Sequence, residues 1–531
     1  MNIMIKRIWI LFVTPSMTIG GSLFTVALVV GLAGCDRLPR NKSHAQVAEE
    51  SVLEGRRLAA VYCQSCHELP DPAVLNAKSW EKGVLPQMGP RLGIFYNGFD
   101  RYPSSRGDTN VPRGYYPSQP LLKPEEWQHI VDYYTAVSPD SLPGQVRPHP
   151  IQMGLPLFEA RVPAMRYEMP ATSLVRVDTV GKLDIFDVHY QKLYQLSSGL
   201  GVRDSVRVAG GIVDLERQDG GWLACNIGML NPNNGKFGRL ERVFGDGGGL
   251  KVDSIPLATG LRRPVQAQAA DLNGDGRMDY LVCEFGNLVG GLSWLENKGD
   301  GRFDRHVLRA AAGAIRAYVN DYNHDGRPDI WALFAQGDEG VFLFTNRGGG
   351  QFDSQTLLRW PPSYGSSYFE LADFNGDGFA DIVYTCGDNA DFSPVLKPYH
   401  GVYIYLNDGH NGFRPWYFFP INGCYKAVAR DFDGDGDLDL AAIAFFPDFS
   451  HQPEEGFVYL ENRGGGDFRP YSLPEAQRGK WLTMDVGDLD GDGRADIVLG
   501  NFSFYAPVTK AGVDFKQEAP FLFLRNTGRK E

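Results

Sequence analysis

One nine-residue pattern, Asp-x-(Asp or Asn)-x-Asp-Gly-x-x-Asp, constrains this 531-residue chain more than any other feature, because it occurs five times. The copies run Asp271–Asp279, Asp321–Asp329, Asp373–Asp381, Asp431–Asp439 and Asp488–Asp496, with starts 50, 52, 58 and 57 residues apart. Such a period marks an array of one supersecondary unit whose members bury their apolar faces on each other. Short apolar runs follow, as in Tyr280-Leu281-Val282, Ile382-Val383-Tyr384, Leu440-Ala441-Ala442 and Ile497-Val498-Leu499. An aromatic run and a glycine turn come next (Trp294–Gly299, Phe344–Gly348, Tyr405–Gly409, Tyr459–Gly464), then a fourth run opening at Phe303, Phe352, Phe413 or Phe468. Four strands per unit is the content of a propeller blade.

Upstream, Leu183–Phe186 and Trp222–Cys225 mark two more units without the acidic loop, which makes seven blades. The last unit stops at Phe521–Gly528 without its fourth strand, and Phe158–Val162, ahead of the first unit, has the character of the missing one. The ring is expected to close by this N-terminal strand completing the last blade, leaving no open sheet edge.

The loop spacing is that of the first three-quarters of an EF-hand loop, in which oxygens at positions 1, 3, 5 and 9 and the carbonyl at 7 converge on a hard cation. The donors are Asp271, Asn273, Asp275 and Asp279; Asp321, Asn323, Asp325 and Asp329; Asp373, Asn375, Asp377 and Asp381; Asp431, Asp433, Asp435 and Asp439; and Asp488, Asp490, Asp492 and Asp496. The other reading is Asp/Gly turns without metal, but carboxylates so crowded repel one another unless a cation neutralises them. A strand, not a helix, follows each loop, and hairpins of this kind resemble the FG-GAP/VCBS repeats of integrin α-like propellers. That resemblance implies up to five Ca²⁺ ions in a structural role. His324 replaces the usual glycine at position 4 of the second copy.

A second signature is Cys63-Gln64-Ser65-Cys66-His67. C-x-x-C-H is the attachment motif of c-type haem, with thioethers from Cys63 and Cys66 and His67 as axial iron ligand. Gly55, Leu58, Ala59 and Tyr62 recur at helical spacing before it, and Pro124-Glu125-Glu126 opens a second helix whose Trp127, Ile130, Val131 and Tyr134 share one face. The two helices and the motif resemble a class I cytochrome c. The resemblance implies that the Pro70 carbonyl orients the His67 imidazole and that Met88, in Leu85-Pro86-Gln87-Met88-Gly89, is the second axial ligand, with Met153 and His129 as alternatives.

The N-terminus carries Lys6 and Arg7, no acid through residue 34, and an apolar stretch from Leu23 to Ala33, the layout of an export signal. Leu32-Ala33-Gly34-Cys35 resembles a bacterial lipobox, which implies cleavage before Cys35, its acylation, and a place in the cell envelope, periplasmic or at the outer surface. The expected organisation is multidomain: signal peptide 1–34, tether 35–50, a small all-α cytochrome c-like haem domain 51–145, a proline-rich linker with the closing strand 146–165, and an all-β seven-bladed propeller with calcium-binding loops 166–531. Cys225, Cys283, Cys386 and Cys424 remain; Cys386 and Cys424 are placed to meet, and burial as thiols is the other reading.

Net charge is −12, which argues against nucleic acid as a partner. Without residues 1–34 it is −14, and seventeen of the acids are loop aspartates, so the acidity is largely a row of metal sites. No nucleophile elbow, zincin motif, P-loop or dinucleotide fingerprint appears. Three functions stay open. The first is a membrane-anchored electron-transfer cytochrome whose propeller docks a redox partner protein. The second is an oxidoreductase whose propeller binds substrate, with Arg263, Arg316, Tyr425 and Lys480 near strand ends on one face as candidates. The third is an adhesion module for a carbohydrate or protein ligand.

Overall fold

Alternating apolar residues make the strands, and turns rich in glycine and aspartate end them, so each repeat folds as an antiparallel sheet. The computed structural model describes residues 38–178, 181–246, 248–390, 392–503 and 518–528, and the expected leader and Cys35 lie outside them. Seven blades follow one another as residues 172–207, 212–252, 264–309, 314–360, 366–420, 424–472 and 481–526. Blade 2 gains Ala258–Leu261 as an extra strand, and blade 6 gains Gln152–Met153 in parallel with its last strand. Blade 7 takes its fourth strand from upstream, as expected. Phe158–Arg161 pairs antiparallel with Phe521–Asn526, with Phe158 opposite Asn526.

The core lies between the blades. Seven buried apolar clusters fill the seven interfaces. Val175 and Ile185 of blade 1 meet Val498 and Phe523 of blade 7, for example, which completes the circle. Burial of each such side chain contributes about 1.5–3 kcal/mol. Around the axis, side chains of each innermost strand clamp the backbone of the next. Ser173 donates to Ile212 O; Asp214 and Glu216 accept from Ala267 and Ala269 N–H; Gln266 bonds both backbone groups of Ala317. Tyr318 donates to Phe369 O, Glu370 accepts from Ala429 N–H, Lys426 donates to Met484 O and Asp485 accepts from Val177 N–H. Every step between neighbouring blades carries one of these bonds.

Ahead of the ring stand two 14-residue helices, Glu49–Tyr62 and Pro124–Val137, with residues 63–123 between them in short helical segments, loops and a small hairpin. Their crossing is set by Gly55, where a Cβ would come within 1.9 Å of the His129 carbonyl oxygen. This helical layer rests on the loops at the propeller face opposite the acidic loops. Tyr399 O–H donates to Val74 O at 3.2 Å, the Asn234 amide to Asp108 at 2.9 Å and Arg262 to Asn110 O at 3.2 Å. Residues 40–531 accordingly form one unit. Among the described residues no helix is long and apolar enough to cross a membrane.

Candidate functional site

Each acidic loop joins the first and second strands of blades 3 to 7 and is organised by its own carboxylates. Position 1 accepts backbone N–H groups from positions 4 to 6, as Asp271 does from Gly274, Asp275 and Gly276. Position 9 is buried and bridges two elements. Asp279 accepts Leu272 N–H inside the loop and Asn297 N–H at the end of the third strand, and Asp381, Asp439 and Asp496 repeat both bonds. Burial raises the pKa of Asp439 to about 7 and that of Asp496 to about 6. His324 takes the left-handed conformation (φ 57°) that glycine takes at this position in the other four copies.

Carboxylate oxygens of Asp431, Asp433 and Asp435, and of Asp488, Asp490 and Asp496, lie within 4.8 Å of one another. An all-oxygen set at that spacing fits a hard divalent cation. The loops are not equivalent. In blades 3, 4 and 7 the arginine at position 7 (Arg277, Arg327, Arg494) pairs with the carboxylate at position 5. Blade 6 has Asp437 there in place of an arginine, which gives its loop five aspartates. The asparagine ending the third strand was not recognised in the sequence. Asn297, Asn346, Asn407, Asn462 and Asn526 each cap the following glycine turn and donate back to the loop's position-8 carbonyl. Recurrence at one register in five blades was the available signal.

Cys63 and Cys66 are unpaired thiols at the exit of Glu49–Tyr62, one half-buried and one exposed. Burial pushes the Cys63 thiol up to about 12. The His67 Nδ1 bonds the Glu68 carbonyl at 2.8 Å. With Nδ1 so engaged, Nε2 carries the free lone pair, the arrangement an iron ligand needs. Burial also lowers the His67 pKa and favours the neutral ring. The donor set therefore fits a covalently held haem. The expected role of Pro70 needs correction: its carbonyl accepts the buried Tyr134 hydroxyl at 3.2 Å, and the carbonyl nearest the imidazole is that of Glu68.

Met88 is half-buried at the end of Leu85–Met88, and Arg91, three residues on, is close enough for its charge to act on His67. Of the two alternatives, His129 lies at the helix crossing, bonded to Ser51 at 2.7 Å, and Met153 is 51% exposed on the rim of blade 6. Cys225, Cys283, Cys386 and Cys424 are buried, unpaired thiols.

The axial channel collects the remaining candidates. Arg263 and Tyr425 sit where innermost strands begin, on the face that bears the helices, and burial lowers the Arg263 pKa. Lys480, on the same rim, is 2% exposed, with Nζ 4.3 Å from the Phe445 ring centroid and 5.5 Å from that of Phe446. Burial lowers its pKa to about 8. Arg316 lies deeper, over the rings of Tyr318 and Tyr368, and Asp214 and Lys426 join it there, residues the sequence did not single out.

A family model described as FG-GAP-like repeat matches residues 271–332 and 321–384. Cartilage acidic protein 1 of Xenopus tropicalis is 25% identical over 330 residues, 53% of this chain and 48% of that protein. The chain thus spans about half the length of this curated relative. Among solved structures, Saccharomyces cerevisiae Sqt1 is 8% identical with a TM-score of 0.42, covering 71% of this chain and 99% of that one. Virginiamycin B lyase from Staphylococcus aureus is 12% identical, also at 0.42, covering 69% and 98%. Scores at this level carry no argument. From its third blade into its fifth, this seven-bladed propeller is built of FG-GAP-like repeats.

Proposed function

We propose that the protein is a calcium-stiffened binding propeller that presents a protein or carbohydrate ligand beside a covalently attached haem. The observation that carries the binding role is the closed seven-bladed ring, FG-GAP-like from its third blade into its fifth, whose acidic loops occupy one face and leave the other for the helices and the channel mouth. The rigid ring, clamped at every blade step, holds Arg263, Tyr425 and Lys480 in fixed positions around that mouth, and such preorganisation favours binding. The direct test is binding of the purified chain to immobilised glycans and to small soluble redox proteins, with calcium and with chelator. Saturable, calcium-dependent binding to one class supports the reading, and absence of binding to both refutes it.

Electron transfer is the second element of the proposal. It is favoured by the C-x-x-C-H run at a helix exit, with His67 Nδ1 spent on a carbonyl and Nε2 open. A haem held by Cys63, Cys66 and His67 would supply one-electron chemistry, with Met88 as the proposed sixth ligand raising its potential. Trp80 and Tyr134, with ring centroids 4.4 Å apart, are both buried in the helical layer that carries the motif. A c-type haemochrome spectrum after expression with a haem-attachment system tests this element. The leader and Cys35 further lead us to propose a lipid-anchored protein of the bacterial cell envelope. Metabolic labelling with a fatty-acid analogue, lost in Cys35→Ser, tests it.

A further inference from the structure

Between the outer strands of blades 3 and 4, Phe303–Arg309 and Gln351–Trp360, the ring leaves a cleft of about 460 Å³. That volume falls within the range of about 300–1,000 Å³ usual for small-molecule sites. The registers of the two sheets decide what lines it. His306 stands opposite Trp294 and Ser354 opposite Phe344, and both of those aromatic residues face the gap between the blades. Trp294 is 2% exposed, and its Nε1 is buried with no hydrogen-bond partner. A buried donor without a partner costs free energy that a ligand's oxygen would recover. The indole edge next to Nε1 meets Gly350, which lines the same cleft, and a Cβ there would come 2.7 Å from Trp294 Cζ2. Any larger residue at that position would press on this edge.

The charges beside the cleft are already spent. Arg305 pairs with Glu284 at 2.5 Å, and Glu296 takes both His306 Nε2 and Lys298, at 2.9 Å each. What is left without a protein partner, among the described residues, is neutral: the indole N–H, His306 Nδ1 and the exposed Ser354 hydroxyl. Beside them lie Phe352 and the exposed Val307. A ligand that matches this set carries hydroxyls on an apolar ring and no charge, which is the surface of a neutral sugar. A charged ligand would need an opposite charge that the cleft does not have free. The outer strands also carry Asp304, Arg305 and Asp353, charges that discourage a peptide from adding as a further strand. We propose that this cleft binds a neutral saccharide, with Trp294 Nε1, His306 Nδ1 and Ser354 Oγ as its hydrogen-bonding groups. The site extends the carbohydrate side of the binding role above to the outer wall of the ring, away from the innermost strands that line the channel.

The test uses the full chain and titrates D-glucose, D-galactose, D-mannose, L-fucose and N-acetyl-D-glucosamine by saturation-transfer NMR, with D-glucuronate as the charged comparison. Saturable binding of at least one neutral sugar, tighter than that of glucuronate, is expected. Ser354→Arg puts a long side chain into the cleft and should abolish it. Gln355→Arg, on the opposite face of the same strand, should bind as the parent does. Both positions are exposed, so the fold tolerates both changes. Trp294→Phe removes the unpaired N–H and keeps an aromatic ring, and Kd should rise about 2- to 10-fold, the worth of one neutral hydrogen bond. Neutral-sugar binding that survives Ser354→Arg overturns the site and leaves the channel-mouth reading standing, and a preference for glucuronate does the same. If none of the neutral sugars binds, the site falls and the binding role above passes to protein ligands.

Discussion

Phe158→Ala tests whether the ring is held shut by a strand made before its first blade. Phe158 is 8% exposed and meets Phe432 and Tyr459 of blade 6 edge-on, each with ring centroids 5.5 Å apart. Truncating a buried phenylalanine costs about 3–5 kcal/mol, of which the two edge-on aromatic pairs account for roughly 1–3 kcal/mol. The backbone ladder to Phe521–Asn526 is untouched, so the loss reports packing at the closing seam alone. Glu159→Ala on the same strand is the control. Glu159 pairs with Arg161 at 3.3 Å, and both side chains are exposed, 58% and 42%; such a pair is worth ~0–1 kcal/mol. The assay is urea unfolding followed by tryptophan fluorescence, with gel filtration at each denaturant step. Phe158→Ala should move the midpoint well below that of Glu159→Ala and populate self-associated species in which the bare edge of blade 7 pairs with another copy. Coincident midpoints for the two variants would refute closure by this strand.

Chelation of calcium should lower the melting temperature of the chain, since each site held at 100 times its Kd adds about 2.7 kcal/mol. Calorimetry of Asp431→Ala should lose the tightest site, because the blade 6 loop alone has five aspartates and none of the arginines that brace blades 3, 4 and 7; an unchanged binding isotherm would count against calcium there. Gly55→Leu should separate the two long helices, abolish haem attachment and leave blade signals in circular dichroism intact, because its side chain has no room beside the His129 carbonyl; normal attachment would refute the crossing. Lys480 has a folded pKa near 8 against an ordinary 10.5, so its neutral form is favoured in the fold. Stability should therefore be full above pH 10.5, decline as pH falls through that window, and be lower by about 3 kcal/mol below pH 8. Lys480→Met should flatten that dependence, and an identical slope in the variant would show that the amine is not desolvated.

The ring was legible because its information is local and repeated. Aspartates at fixed offsets, an aromatic run and a phenylalanine-led fourth strand recur in blade after blade, and the shortfall at Phe521–Gly528 pointed to Phe158. What escaped lies in contacts between distant residues. The Asn346 side chain donates to Leu272 O, 74 residues away, and no spacing announces it. The displaced role of Pro70 depends on where Tyr134 arrives, a consequence of helix packing. The docking of the helical layer on blades 2 to 5 through Asp108, Asn110 and Val74 rests on single polar contacts in irregular loops. Blade 2 hid its extra strand for the same reason, since Ala258–Leu261 has neither acidic loop nor aromatic marker.

The closing strand also sets a timetable. The Thr527 hydroxyl donates to Leu157 O across 370 residues of chain. At roughly 5–20 residues per second of synthesis, the strand beginning at Phe158 emerges about 20–70 s before its partner exists. During that wait it is a lone strand beside six growing blades, any of whose edges it could join wrongly. Its flanks answer the hazard: Pro156 and Pro163 bracket it, and Glu159 and Arg161 put charges on it, features that discourage stray pairing. The last blade is therefore assembled from the earliest and the latest parts of the propeller sequence, and the ring becomes a ring only once residues 521–526 have been made.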